Sequence, residues 1–135
     1  MPLQVMNLDA HHAHRRLLVV DDDRDLVDAL CEWIALRSDW TAVAAYGPDD
    51  AIAQAGVAPP DAIILDMEMD GADGFDTARR LELAAGRKHP ALLALTGNAR
   101  LRDAASLDVR FAASILKPAD LEGLLSLLDK VSTPH

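Results

Sequence analysis

The chain has 135 residues with a formal net charge of −9 at pH 7, and half of its residues are hydrophobic, which is typical of one globular domain. The acidic balance disfavours binding to nucleic acid or to an anionic membrane surface, and the single cysteine, Cys31, excludes an internal disulfide. No apolar run approaches the roughly 20 residues that span a bilayer, and the N-terminus lacks an apolar signal core, so we expect a cytoplasmic protein.

The elements predicted in chain order start after a polar tail. Residues 1–14 contain His11, His12 and His14 and show no periodicity, so we interpret them as a flexible N-terminal tail. Residues 15–132 contain five short apolar segments that are typical of buried strands. In chain order these are "RLLVV", "WTAVAAY", "DAIILD", "ALLALTG" and "ASILKP". Residues 133–135 form a C-terminal end, and we expect no output domain.

A segment with helical spacing follows each predicted strand. Leu26, Leu30 and Ile34 recur every four residues after the first strand. The remaining helices are predicted within "GPDDAIAQAG", "GFDTARRLELAAG", "NARLRDAASL" and "ADLEGLLSLLDKV". In the first of these segments Pro48 lies near the helix start and Gly56 past its end. Five β–α units in strict alternation predict an α/β, doubly wound fold with helices on both faces of a mostly parallel sheet.

Reactive side chains follow four of the five predicted strands. They are Asp21 and Asp22 after strand 1, Asp66 after strand 3, Thr96 (followed by Gly97) after strand 4, and Lys117 after strand 5. In an open α/β sheet, ligands bind outside the carboxyl ends of the strands at a topological switch point. With the strand order 2-1-3-4-5, the acidic pair lies beside Asp66. Lys117 then lies two strand spacings away, about 9.6 Å, a gap that its side chain can bridge to Asp66 through a hydrogen bond.

The chemistry of these side chains suits phosphoryl transfer. Three carboxylates in one pocket raise one another's pKa unless a cation compensates them. Oxygen ligands favour Mg²⁺, which typically binds one or two carboxylates and a phosphate oxygen. Asp66 is then placed to attack phosphorus as a nucleophile and form an aspartyl-phosphate. Mg²⁺, Lys117, the Thr96 hydroxyl and a nearby backbone N–H would hold the phosphoryl oxygens.

The motifs "LLVVDDD", "AIILDMEMDGADGF", "LLALTGN" and "ILKP", in this order, resemble the receiver domain of two-component response regulators over about residues 15–132. The resemblance implies a flavodoxin-like, five-stranded parallel sheet of order 2-1-3-4-5. It also implies that Asp66 is the phosphoacceptor, that Asp22 binds Mg²⁺ directly and that Asp21 binds it through water. By the same resemblance, Glu68 offers its backbone carbonyl to the metal.

The resemblance extends to the switch residues and to the partners. Thr96, Gly97 and Lys117 match the phosphoryl-binding and switch positions of the family. A histidine kinase or a histidine phosphotransfer protein is the implied phosphoryl donor, and a downstream protein would bind the face made by helix 4, strand 5 and helix 5. The protein is then a monomer or weak dimer in a phosphorelay. It is a phosphoacceptor with intrinsic autodephosphorylation and not a turnover enzyme.

The sequence departs from the family pattern at three positions. Asp70 stands where proline is common, Ser114 where an aromatic switch residue is common, and Ala119 where phenylalanine is common. These differences leave the phosphorylation chemistry in place, but they predict an absent or altered movement at the switch. Glu68 and Asn98, two residues past the acceptor and the threonine, stand where family members tune the lifetime of the phosphoryl group.

The remaining interpretations concern Asp23 and two alternative functions. Asp23 belongs to the start of the first helix, where a carboxylate caps free N–H groups, and not to the metal pair. The segment "LDMEMDG" also faintly resembles the signature of haloacid-dehalogenase-like phosphatases, which normally have aspartate at the position of Glu68. A third alternative is a pseudo-receiver that binds partners without phosphorylation. It predicts a missing active-site residue, and none is missing.

Overall fold

Five strands form one parallel sheet in the order β2-β1-β3-β4-β5 in the computed structural model, which describes residues 15–131. The strands are β1 Arg16–Val20, β2 Thr41–Ala45, β3 Ala62–Asp66, β4 Ala91–Thr96 and β5 Phe111–Leu116. The order and the parallel pairing confirm the predicted flavodoxin-like fold. The predicted tail of residues 1–14, with its three histidines, and the predicted end at 133–135 lie outside the described residues.

Five α-helices connect or follow these strands. They are α1 Arg24–Arg37, α2 Pro48–Val57, α3 Gly74–Ala85, α4 Ala99–Ser106 and α5 Leu121–Val131, and a short 3₁₀ turn at Gly86–Lys88 follows α3. The prediction that Gly56 lies past the end of α2 is wrong, because the helix continues to Val57 and the Ala58 N–H still donates to the Gln54 carbonyl. Among residues 15–131, the helices are all too short or too polar to cross a membrane.

Side chains alternate along the strands between two core layers. Leu18 and Ile63 point to one face of the sheet, where they pack with buried residues of α2, α3 and α4. Val19 and Ile64 point to the other face, where they pack with buried residues of α1 and α5. The central strand β3 is buried along its whole length. Burial on both faces explains why its sequence shows no alternation of polar and apolar residues.

The apolar stripe predicted on α1 is only partly buried. Val27 and Ile34 are almost fully buried, whereas Leu26 is 48% exposed. Leu26 lies in the first turn of α1, beyond the carboxyl end of β1, so the sheet no longer extends beneath it. The helix therefore leaves an apolar side chain at the edge of the molecule where the polar strand-end residues gather.

Residues just outside the strands determine where the helices start. The Asp23 carboxylate accepts a hydrogen bond of 3.2 Å from the Leu26 N–H at the start of α1, which confirms its predicted capping role. Asp73 caps α3 in the same way, through the N–H of Phe75. Capping satisfies N–H groups that have no partner within a helix. Each of these helix starts is therefore anchored next to the carboxyl edge of the sheet.

Candidate functional site

The predicted site residues meet at the carboxyl edge of the sheet, on both sides of the point where the strand order reverses between β1 and β3. Backbone hydrogen bonds continue one residue past three of the strands. The N–H of Asp21 donates to Ala45, that of Met67 to Leu95 and that of Lys117 to Thr96. Hydrogen bonds of the sheet thus fix the main chain at the strand ends, where the predicted site residues lie.

Three carboxylates lie together at this edge, as the sequence predicts. Asp21, Asp22 and Asp66 each place one carboxylate oxygen within 4.8 Å of the others. Asp21 and Asp66 are only 4% and 3% exposed, whereas Asp22 is exposed to solvent. Asp22 also accepts a hydrogen bond of 3.2 Å from the Asp70 N–H, which ties the end of β1 to the loop after β3. A set of three oxygen ligands with one open side suits Mg²⁺, which retains several waters.

The Asp66 carboxylate is held in an environment that disfavours its charge. Burial raises the pKa of Asp66 above its ordinary value, and the nearby Asp21 raises this pKa further. The Glu68 N–H, which donates to Asp66 Oδ1 at 3.0 Å, and the Lys117 ammonium act in the opposite direction. A cation bound between the carboxylates would favour the ionised form of Asp66.

Lys117 reaches the acidic residues from β5, two strands away from β3. Its Nζ lies 3.4 Å from Asp66 Oδ1 and 3.7 Å from Asp21 Oδ2, so the predicted contact with Asp66 is present. The peptide bond between Lys117 and Pro118 is cis. The lysine ammonium is half-buried and therefore less screened by water than a surface charge. The Lys117 ammonium can therefore bind another anion next to the Asp66 carboxylate.

Thr96 and Gly97 share one acceptor at the end of β4. The Thr96 hydroxyl donates to Glu68 Oε1 at 2.7 Å, and the Gly97 N–H donates to the same oxygen at 2.5 Å. These two hydrogen bonds lower the pKa of Glu68 below its ordinary value, and the bond from Thr96 has the larger effect. The sequence pointed to the backbone carbonyl of Glu68 but contained no signal for this side-chain contact across 28 residues of chain.

The other two predicted residues form hydrogen bonds with α4. Asn98 Oδ1 accepts hydrogen bonds from the N–H groups of Arg100 and Leu101, so this side chain caps α4. Ser114 lies on β5, and its hydroxyl donates to the Arg102 carbonyl of α4 at 2.7 Å. The Ser114 side chain therefore links β5 to α4 through a hydrogen bond.

The chain matches a family model and a curated relative. The model of the response regulator receiver domain matches residues 17–129. Response regulator MprA of Mycobacterium ulcerans (strain Agy99) is 31% identical over 111 residues, which make up 82% of this chain and 47% of that protein. The chain therefore spans about half the length of this relative.

Two solved structures are similar in fold. The response regulator receiver protein from Pseudomonas putida is 27% identical, with a TM-score of 0.75 over 86% of this chain and 96% of that one. The response regulator protein TrrA from Thermotoga maritima, solved in complex with Mg²⁺-BeF, is 23% identical, with a TM-score of 0.74 over 87% and 98% of the two chains. With its strand order, its acidic cluster and a family match over most of its length, the chain belongs to the response regulator receiver domains of two-component signalling.

Proposed function

We propose that this receiver domain accepts a phosphoryl group on Asp66 from a phosphohistidine donor, with Mg²⁺ bound beside it. The observation that carries the proposal is the setting of the Asp66 carboxylate. It is buried, it lies 3.4 Å from Lys117 Nζ, and it shares a small volume with the carboxylates of Asp21 and Asp22. A nucleophile, a cationic anchor and a set of oxygen ligands for a metal therefore converge on one point.

The ligands proposed for Mg²⁺ are all oxygen atoms. Asp22 is the direct ligand, Asp21 acts through water, and Asp66 and the backbone carbonyl of Glu68 complete the protein's share. When bound, Mg²⁺ would neutralise charge on the phosphoryl oxygens. The raised pKa of Asp66, caused first by burial and then by Asp21, supports this assignment because it marks a site short of positive charge. The complex of TrrA with Mg²⁺-BeF supports it by similarity.

In the proposed transfer, one oxygen of Asp66 attacks the phosphorus atom. The new P–O bond forms as the P–N bond to the donor histidine breaks, and the electron pair of that bond stays on the imidazole nitrogen. Lys117 Nζ binds one phosphoryl oxygen, and the Thr96 hydroxyl and the Gly97 N–H bind another. These donors hold the charge that develops at the equatorial oxygens, which is the main contribution a protein makes to phosphoryl transfer.

The proposed partners follow from family membership. A histidine kinase or a histidine phosphotransfer protein donates the phosphoryl group, and a downstream protein binds the α4–β5–α5 face after phosphorylation. The domain acts as a monomer or weak dimer. Hydrolysis of the aspartyl-phosphate ends the signal without turnover of an external substrate, and the positions of Glu68 and Asn98 tune its rate.

Labelling with a small phosphodonor tests the proposal. Incubation with acetyl phosphate and Mg²⁺ is expected to add one phosphoryl mass to the protein, as measured by intact mass spectrometry, and Asp66→Asn abolishes this addition because the nucleophile is gone. Asp49→Asn, which changes a carboxylate that is 96% exposed on α2, is the matched control and leaves the labelling intact.

Two results would count against the receiver chemistry. Equal labelling of the Asp66→Asn variant means that another residue is the acceptor. Steady turnover of a generic phosphate ester by the untreated protein means that the site works as a phosphatase of the haloacid-dehalogenase kind.

A further inference from the structure

One acidic side chain already occupies donors that the proposed phosphoryl group requires. Glu68 Oε1 accepts both the Thr96 hydroxyl and the Gly97 N–H, at 2.7 Å and 2.5 Å. The main chain of Glu68 is fixed at the same time, because its N–H donates to Asp66 Oδ1. The side chain therefore bridges from the loop after β3 to the end of β4, two residues past the proposed phosphoacceptor.

These two donors cannot serve two anions together. A threonine hydroxyl has one proton to donate, and a backbone N–H has one as well. The Thr96 oxygen also accepts the Asn98 N–H at 3.0 Å, which orients the hydroxyl so that its proton points to Glu68. A phosphoryl oxygen that arrives on Asp66 must displace the Glu68 carboxylate from both donors.

We propose that the Glu68 carboxylate is an internal anion that fills the phosphoryl-oxygen position of the unphosphorylated protein and must leave when Asp66 is phosphorylated. The inference rests on the proposed function and concerns the regulation of the same site. Glu68 holds the Thr96 hydroxyl and the Gly97 N–H in place and opposes the entry of a small, negatively charged phosphodonor. Its release on phosphorylation removes the side-chain link between Glu68 and the end of β4, which couples the chemistry to a change in shape.

The test compares charge removal at this position with charge removal nearby. Glu68→Ala eliminates the competing acceptor, and Glu68→Gln keeps its shape but removes the charge. Asp70→Asn is the matched control: it removes one charge from an exposed side chain of the same loop, two residues further on, without touching Thr96 or Gly97. General repulsion of the phosphodonor would affect all three variants alike, whereas competition for the donors affects only the two Glu68 variants.

Labelling rates with limiting acetyl phosphate and Mg²⁺ are the first readout. We expect Glu68→Ala to label about tenfold faster than the unmodified protein, since a charge-assisted hydrogen bond is worth roughly a decade in an equilibrium constant. Glu68→Gln should label faster by a smaller factor, and Asp70→Asn within about twofold of the unmodified protein. The amide proton of Gly97, followed by NMR in metal-free buffer, is the second readout and should move upfield in Glu68→Ala.

The outcomes separate this inference from the proposed function. Labelling of Asp66 at an unchanged or lower rate in Glu68→Ala overturns the inference and leaves the proposed function standing. An equal acceleration in Asp70→Asn, or a Gly97 amide that does not move, also overturns it. Absence of labelling in the unmodified protein and in every variant overturns the proposed function, and this inference with it.

Discussion

Single residues at the carboxyl edge of the sheet have unequal environments although several have the same side chain. Asp66 and Asp21 are buried, so their charges interact strongly with each other and with Lys117. Asp22 is exposed, and its charge is screened by water. Asp66, whose pKa is raised by burial, is also the carboxylate proposed to carry out the chemistry. Perturbed ionisation is a common mark of a functional group.

The raised pKa of Asp66 has a consequence for stability. A carboxyl group whose pKa is higher in the folded than in the unfolded state destabilises the fold at pH values above both pKa values, and this cost disappears as the pH falls below them. We therefore expect Asp66→Asn to raise the melting temperature at pH 7 in metal-free buffer. The gain should be a few degrees, since about 1 kcal/mol corresponds to roughly 4 °C in a domain of this size.

Thermal denaturation of both proteins between pH 4 and pH 8 checks this prediction. The difference in melting temperature should grow as the pH rises and shrink toward pH 4. A variant that melts below the unmodified protein at pH 7 would show that the Asp66 carboxylate stabilises the metal-free fold.

At the scale of elements, the acidic triplet "DDD" crosses the boundary between a strand and a helix. The Asp21 N–H continues the hydrogen bonding of the sheet by donating to Ala45, whereas Asp23 caps α1. The two roles are linked, because Asp21 Oδ1 accepts the Asp23 N–H at 3.0 Å. Backbone N–H donors thus offset repulsion among the three carboxylates: two lie at the start of the helix, and the third is the Asp70 N–H, which donates to Asp22.

Loss of the cap is expected to weaken the fold without removing a metal ligand. Asp23→Ala should lower the free energy of unfolding by about 1 kcal/mol, the usual cost of removing an N-cap acid. Asp25→Ala, which removes an exposed carboxylate in the first turn of the same helix, is the control and should cost a few tenths of a kcal/mol. Urea denaturation in EDTA measures both values, and a Mg²⁺ titration of Asp23→Ala should give an unchanged affinity. Equal losses in the two variants would contradict a capping role for Asp23.

Across the whole molecule, hydrogen bonds lead from the candidate site to the proposed output face. The Asn98 N–H donates to Thr96 Oγ1, and the Asn98 side chain caps α4. From α4 the Arg102 carbonyl accepts the Ser114 hydroxyl of β5. A change in the hydrogen bonds of Thr96 therefore acts on the start of α4, and α4 is tied to β5. Ser114 thus makes a polar connection between β5 and α4.

This connection predicts where phosphorylation changes the surface. Treatment with beryllofluoride and Mg²⁺ should alter amide hydrogen exchange in peptides that cover residues 97–106 and 111–117, because the Thr96 hydroxyl turns toward the phosphoryl analogue. Ser114→Ala should reduce the change in β5 and leave the labelling of Asp66 by acetyl phosphate intact. Asp66→Asn is the negative control, and mass spectrometry after timed exchange measures all three proteins. A change confined to residues 67–73 would contradict transmission through α4.

Much of this site is readable in the sequence because parallel strands end at the same edge of a sheet. The alternation of strands and helices implies a parallel sheet, so the residues after each strand can be assigned to one edge. The side chain of Lys117 is long enough to reach Asp66 from there. Two local expectations were wrong or incomplete for physical reasons. Gly56 does not end α2, because the helix continues to Val57, and Leu26 is partly exposed because the sheet ends beneath it.

The fold class and the residue types at each strand end can be predicted from the sequence, since both depend on local periodicity and on the geometry common to parallel sheets. The hydrogen-bond donors that those side chains use are visible only in the folded protein. Glu68 has several rotatable bonds, and its choice of Thr96 and Gly97 depends on the spacing between β3 and β4 and on the direction of the loop between them. The contact joins residues that are distant along the chain, and no local sequence pattern specifies such a contact.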